Sequence, residues 1–123
     1  MTIYTSFLGI AKLALGQAGA HAVVNDALDA VDKAVAGRMS LNLTGLTTKT
    51  LTGSESTAHI LHVTATTAAC DLVVQAVPKT WMVINDGSHT LTIKRASQSS
   101  APTVAAGAIK HLVCDGTDVR LVA

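Results

Sequence analysis

The chain has 123 residues, nine Lys plus Arg against eight Asp plus Glu, and charged side chains at only 14 % of its positions. A balance this close to neutral gives no electrostatic reason to expect nucleic acid or an anionic membrane as a partner. An ordinary globular domain carries roughly 25 % charged residues, so this one has too few to cover a monomer, and part of its surface is expected to be buried against other copies.

Residues 1–22 form an apolar leader punctuated by Gly9, Gly16 and Gly19. Ala18-Gly19-Ala20 resembles a signal-peptidase site, but no basic residue precedes the apolar stretch and Lys12 sits inside it. The stretch also falls short of the 20 or so apolar residues that a membrane-spanning helix needs. It is therefore expected to be an anchoring segment ordered by contact with another protein. Tyr4, Phe7, Leu8, Ile10, Leu13 and Leu15 are its candidate anchoring side chains. A cleaved secretion leader is the alternative.

Residues 23–37 make a short helical neck, with a helix expected over 25–36, Asn25 as its cap and Gly37 as its stop. Val24, Leu28, Val31 and Val35 follow one another at spacings of four, three and four. That is the seam of a coiled coil, and the four are the candidate contacts between copies. The competing reading is one helix packed on its own domain.

Residues 38–123 read as a head of short strands rich in Thr, Val and Ile, with turn signals every 8 to 12 residues or so. Asn85-Asp86-Gly87-Ser88 is a hairpin signal between strands at 80–84 and 89–95, because Asn, Asp and Gly tolerate positive φ. A last hairpin is expected to pair 108–114 with 118–122 across Asp115-Gly116-Thr117. The fold class that follows is mainly β: a short N-terminal helical segment, then a compact antiparallel β-sandwich or barrel-like domain, in a homotrimer. Candidate tip loops are Asn85, Asp86, Ser88 and His89, with Gln98 and Ser99. They carry no aromatic residue on which a sugar could stack.

No catalytic constellation emerges. His59 and His62 are three apart on an expected strand and face opposite ways, which rules out a shared metal. His21, His89 and His111 lie in unrelated segments, and Asp115 and Asp118 flank a turn. There is no Gly-x-Ser-x-Gly elbow, Walker loop or dinucleotide fingerprint. Cys70 and Cys114 have no metal-type spacing and are expected as free, buried thiols rather than a disulfide. No cofactor, metal site or enzyme activity is expected.

The segment 79–122 resembles a module of tailed-bacteriophage virion structural proteins. It contains Lys79-Thr80-Trp81-Met82-Val83-Ile84-Asn85-Asp86-Gly87, then Val104-Ala105-Ala106-Gly107, then Cys114-Asp115-Gly116-Thr117-Asp118-Val119. The stretch Val24-Asn25-Asp26-Ala27-Leu28-Asp29-Ala30-Val31-Asp32 is similar to the short helix upstream of that module. The resemblance implies a non-enzymatic fibre, spike or capsid decoration protein. Such a protein is commonly trimeric, assembled in the bacterial cytoplasm and held on the virion by its N-terminus, with other virion proteins or a host receptor as partners. It carries no active site across. The lack of an extended shaft favours a short head fibre, spike or decoration protein. A secreted bacterial β-sandwich adhesion or binding module with a cleaved leader is the runner-up, and a small lyase or hydrolase comes third.

Overall fold

A computed structural model describes residues 6–8 and 20–123, with the side chains of 20–23 outside the description. Tyr4, Ile10, Leu13 and Leu15 lie outside the described residues, while Phe7 and Leu8 fall in a short turn. The first helix, α1 (Ala20–Ala36), begins before the expected start. Asn25 is thus an interior residue rather than the cap. Ala20, Ala22 and Val23 continue the helix because nothing among them breaks it and alanine is the best helix former. The leader/neck boundary drawn at residue 22 accordingly falls inside α1. Gly37 does stop the helix. Its N–H bonds to the Lys33 carbonyl at 2.7 Å, and a Cβ there would collide with the Lys33 backbone.

After α1 the chain alternates between two sheets. It runs through β1 (Arg38–Leu43), β2 (Thr48–Thr50), a one-turn α2 (Gly53–Thr57), β3 (Ile60–Thr66), β4 (Cys70–Val74), β5 (Lys79–Asn85) and β6 (Leu91–Arg95). Then come β7 (Thr103–Val104), β8 (Ile109–Cys114) and β9 (Val119–Leu121). One sheet has the order β1-β3-β5-β8-β9 and the other β2-β4-β6-β7.

The sheets are mixed, and this corrects the antiparallel expectation. β1, β3 and β5 run parallel, as do β2, β4 and β6; only β7, β8 and β9 are antiparallel to their neighbours. Arg38, Ile60 and Met82 stand side by side in the first sheet, 22 residues apart each time. In the second sheet Thr48, Asp71 and Thr92 are 23 and then 21 apart. The chain therefore winds three turns of a flattened coil, each turn placing one strand in each sheet, before β7 to β9 reverse direction.

The corner at 86–90 explains why a hairpin was expected and is not found. β5 ends at Asn85, which is fully buried; its Nδ2 donates to the carbonyls of His89 (2.8 Å) and Val104 (3.0 Å), and its Oδ1 accepts from Gly87 N–H. These bonds carry the chain across to β6 in the other sheet instead of back along β5. Asn85→Ala is expected to cost about 2–3 kcal/mol in urea unfolding, because it strands buried carbonyls. Asn85→Asp, the same shape with no donor, should cost more, since it points a carboxylate at two carbonyl oxygens. Equal stability of the two variants would contradict this account.

The inward faces of both sheets share one core. Leu41, Leu61, Val63, Val83 and Leu112 come from the first sheet, and Leu72, Val74, Leu91, Ile93 and Val104 from the second. Trp81, fully buried, donates its Nε1–H to the Ser56 carbonyl at 2.9 Å and so ties α2 to the core. α2 itself is held by a capping box: the Thr52 hydroxyl accepts from Glu55 N–H while the Glu55 carboxylate accepts from Thr52 N–H. That N–H, with Lys49 nearby, holds the Glu55 carboxyl below its usual range. The hairpin expected across Asp115-Gly116-Thr117 forms between β8 and β9, with Asp115 Oδ1 accepting from the N–H groups of Thr117 and Asp118. Cys70 and Cys114 are free and buried, and burial pushes the Cys70 thiol up.

Candidate functional site

The most informative surface is on α1. On a helix turning about 100° per residue, Val24, Leu28, Val31 and Val35 share one face, and Asp26, Asp29, Ala30 and Lys33 share the opposite one. The polar face approaches the body at Lys33, which is half-buried, while Asp26, Asp29 and Ala30 are exposed. Asp26, Asp29, Ala30 and Lys33 line a cleft of about 340 Å³ closed on its other side by Ser54 and Thr57 of α2. Lys33 Nζ donates across it to the Ser54 carbonyl at 2.5 Å. The apolar seam points away: Val24, Val31 and Val35 are 43 %, 54 % and 59 % exposed, and Leu28 is half-buried. An amphipathic surface helix ordinarily buries its apolar stripe; here the stripe is open to solvent along with the aspartates.

Beside the seam, Asp32 is 2 % exposed and accepts N–H bonds from Phe7 (2.9 Å) and Leu8 (2.6 Å). The carboxylate pins the N-terminal turn to the flank of the helix, one turn beyond Leu28. Phe7 and Leu8 themselves stay about half exposed, which adds two large apolar side chains next to the valines. Sequence reasoning gave Asp32 no role of its own. Its role depends on a contact 24 to 25 positions away, which no local pattern reveals.

The candidate tip residues are not brought together. Residues 86–90 and 96–102 lie at opposite ends of β6, so no single tip contains both. Asn85 is buried as described, and Gln98 is 5 % exposed. Gln98 Nε2 donates to the carbonyls of Ser100 and Val119, and its Oε1 accepts from Arg95 and Val119 N–H, which fastens its loop to the last hairpin. Neither side chain has a face left for a receptor. Asp86, Ser88 and Ser99 are exposed, and His89 is half-buried. The Thr66 hydroxyl accepts from the N–H groups of Ser88 and His89, which makes the 86–90 corner a supported turn.

Titratable groups cluster only loosely. His62 lies on the outward side of β3, between Arg38, which hydrogen-bonds its Nδ1, and Asp86, 2.5 Å from its Nε2. Because arginine can only donate, Nδ1 is the acceptor and Nε2 the donor toward Asp86. His59 precedes β3 rather than lying on it, and its ring meets that of His111 edge-on at 6.2 Å. His111 Nε2 is buried with no hydrogen-bond partner. Among the described residues, no three His, Cys, Asp or Glu side chains converge as metal ligands, and no helix is long and apolar enough to cross a membrane.

Comparison of the chain with protein-family models, with curated proteins and with solved structures returned no match.

Proposed function

We propose that the chain is a non-enzymatic structural protein of a tailed-bacteriophage particle: a small self-associating fibre, spike or capsid decoration protein, trimeric, docked through its N-terminal segment. The observation that carries the self-association is the uncovered seam of α1: three valines at heptad spacing are about half exposed, flanked by the half-exposed Phe7 and Leu8. Like helices meeting on such a seam bring no formal charge to the shared axis, and the spacing is the one that knobs-into-holes packing requires. The virion assignment rests on the resemblance of segment 79–122 to phage structural modules. The scarcity of charge supports both.

Light scattering on the eluting full-length chain at micromolar concentration tests the first part. The mass expected is that of three 12.6 kDa chains. A stable monomer would overturn the reading. Particle incorporation tests the second. A chain lacking residues 1–22 should keep its β body and fail to join virions, whereas undiminished incorporation would remove the anchoring role.

A further inference from the structure

The five-stranded sheet brings together three side chains that lie far apart along the chain. His59, in the bend before β3, has its ring edge-on to that of His111 on β8, with the centroids 6.2 Å apart. Met82 of β5 comes between them in the sheet. Its N–H bonds to the His59 carbonyl, and on the β8 side it stands opposite His111. The His111 N–H turns the other way, to the backbone oxygen of Ala123. Met82 and His111 are therefore a non-hydrogen-bonded pair of an antiparallel ladder, the kind in which side chains stand closest. Both lie on the outer face, since their neighbours Trp81 and Leu112 are buried in the core. At this spot His111 Nε2 is shut off from water and has no hydrogen-bond partner. A buried polar atom left in that state is costly, and a bound ion is one of the few things that resolves it.

We propose that His59 and His111 bind one copper(I) ion, with the Met82 thioether as third ligand. The site is independent of the self-association reading. Distance, charge and softness select the ion. A metal–nitrogen bond of about 2.0 Å sets two imidazole centroids about 5.3 Å apart at a tetrahedral angle and about 6.4 Å apart in line. The observed 6.2 Å corresponds to a wide angle, which copper(I) adopts and a tetrahedral zinc site does not. Among the described residues no carboxylate or thiol joins the two imidazoles. The ligands then bring no charge, and a monovalent ion costs less to bury than a divalent one. Thioether sulfur is a soft donor of the kind that selects copper(I). Binding uses the unprotonated Nε2 of His111, and the half-buried His59 turns about χ2 to face it. Because His59 N–H bonds to the Lys33 carbonyl, the ion ties β8 to the foot of α1.

The test titrates the full-length chain with copper(I) under anaerobic conditions, against a chromogenic copper(I) chelator. X-ray absorption on the loaded protein then counts its ligands, and circular dichroism establishes folding of each variant. One ion per chain is expected, with two nitrogens and one sulfur around it, and copper(I) should raise the thermal unfolding midpoint where zinc does not. His59→Ala and His111→Leu should each weaken binding at least about tenfold. The second removes an unpartnered nitrogen and should leave the fold intact. Met82→Leu keeps the volume and should remove the sulfur from the spectrum. His89→Gln, on the 86–90 corner, should bind like the parent. No binding by the parent, or undiminished binding in His59→Ala, overturns the site. So does sulfur that persists in Met82→Leu, which would assign the copper to Cys70 or Cys114. Zinc held as tightly as copper(I) overturns the choice of ion.

Discussion

Aspartate in place of both Val31 and Val35 is expected to yield a monomer that is still folded. In the isolated chain both side chains are more than half exposed and touch little of their own domain. Surface substitutions of that kind usually stay within about 0.5 kcal/mol of the parent. In the proposed trimer the same positions would face identical helices, where burying each valine would contribute up to roughly 1.5–3 kcal/mol. Six carboxylates around one axis would add mutual repulsion. The combined loss weakens association by a factor on the order of 10³ or more. Fluorescence of Trp81, the only tryptophan and fully buried, should keep its position, since the core is untouched, while the mass falls to that of one chain. A variant that remains a full-size oligomer would show that the contact lies elsewhere.

Trp81→Ala is expected to have the opposite character, damaging the fold rather than the assembly. Removing a fully buried tryptophan costs about 3–5 kcal/mol, against a total of about 5–15 kcal/mol for a typical domain. Here it also releases α2, because the Ser56 carbonyl loses its only described side-chain donor. α2 forms the far wall of the cleft lined by Asp26, Asp29, Ala30 and Lys33 of α1, so that wall should loosen too. Trp81→Phe separates the two effects. It keeps most of the ring volume and loses only the bond to Ser56, for a cost of about 1–2 kcal/mol. Thermal unfolding followed by far-ultraviolet circular dichroism gives both values. A cost for Phe as large as for Ala would mean that the hydrogen bond, not packing, is what Trp81 supplies.

Local chemistry was legible in the sequence where the determining groups are neighbours. The helix, its stop at Gly37 and the Asp115-Gly116-Thr117 hairpin all followed from short-range pattern. The winding did not. Met39, Leu61 and Val83 occupy equivalent places on successive turns of the coil, yet the residues around them share only a preference for aliphatics inside. A repeat preserved in geometry and not in residue identity leaves no visible period. Asn85 misled for a related reason. Asn-Asp-Gly is good turn chemistry either way, and whether the turn reverses the strand or carries it across is decided by where the Asn85 amide finds its carbonyls, one of them 19 positions away at Val104. The seam was legible as a pattern. That it faces outward depends on Lys33 reaching Ser54, which spacing alone could not supply.

The switch from parallel to antiparallel pairing at the C-terminal end has a consequence for how such a body changes in size. Each 22-residue turn stacks on the one before by the same parallel pairing, so in principle the coil has no intrinsic length. β8 and β9, running back on themselves through the Asp115 hairpin, offer no strand of the right direction for another turn to follow. Growth is open only where β1 and β2 form the first turn, next to the helix. A lineage carrying this fold could therefore lengthen or shorten the protein in steps of one strand spacing, about 4.8 Å, by duplicating or deleting one turn near the neck, and leave the terminating hairpin as it is.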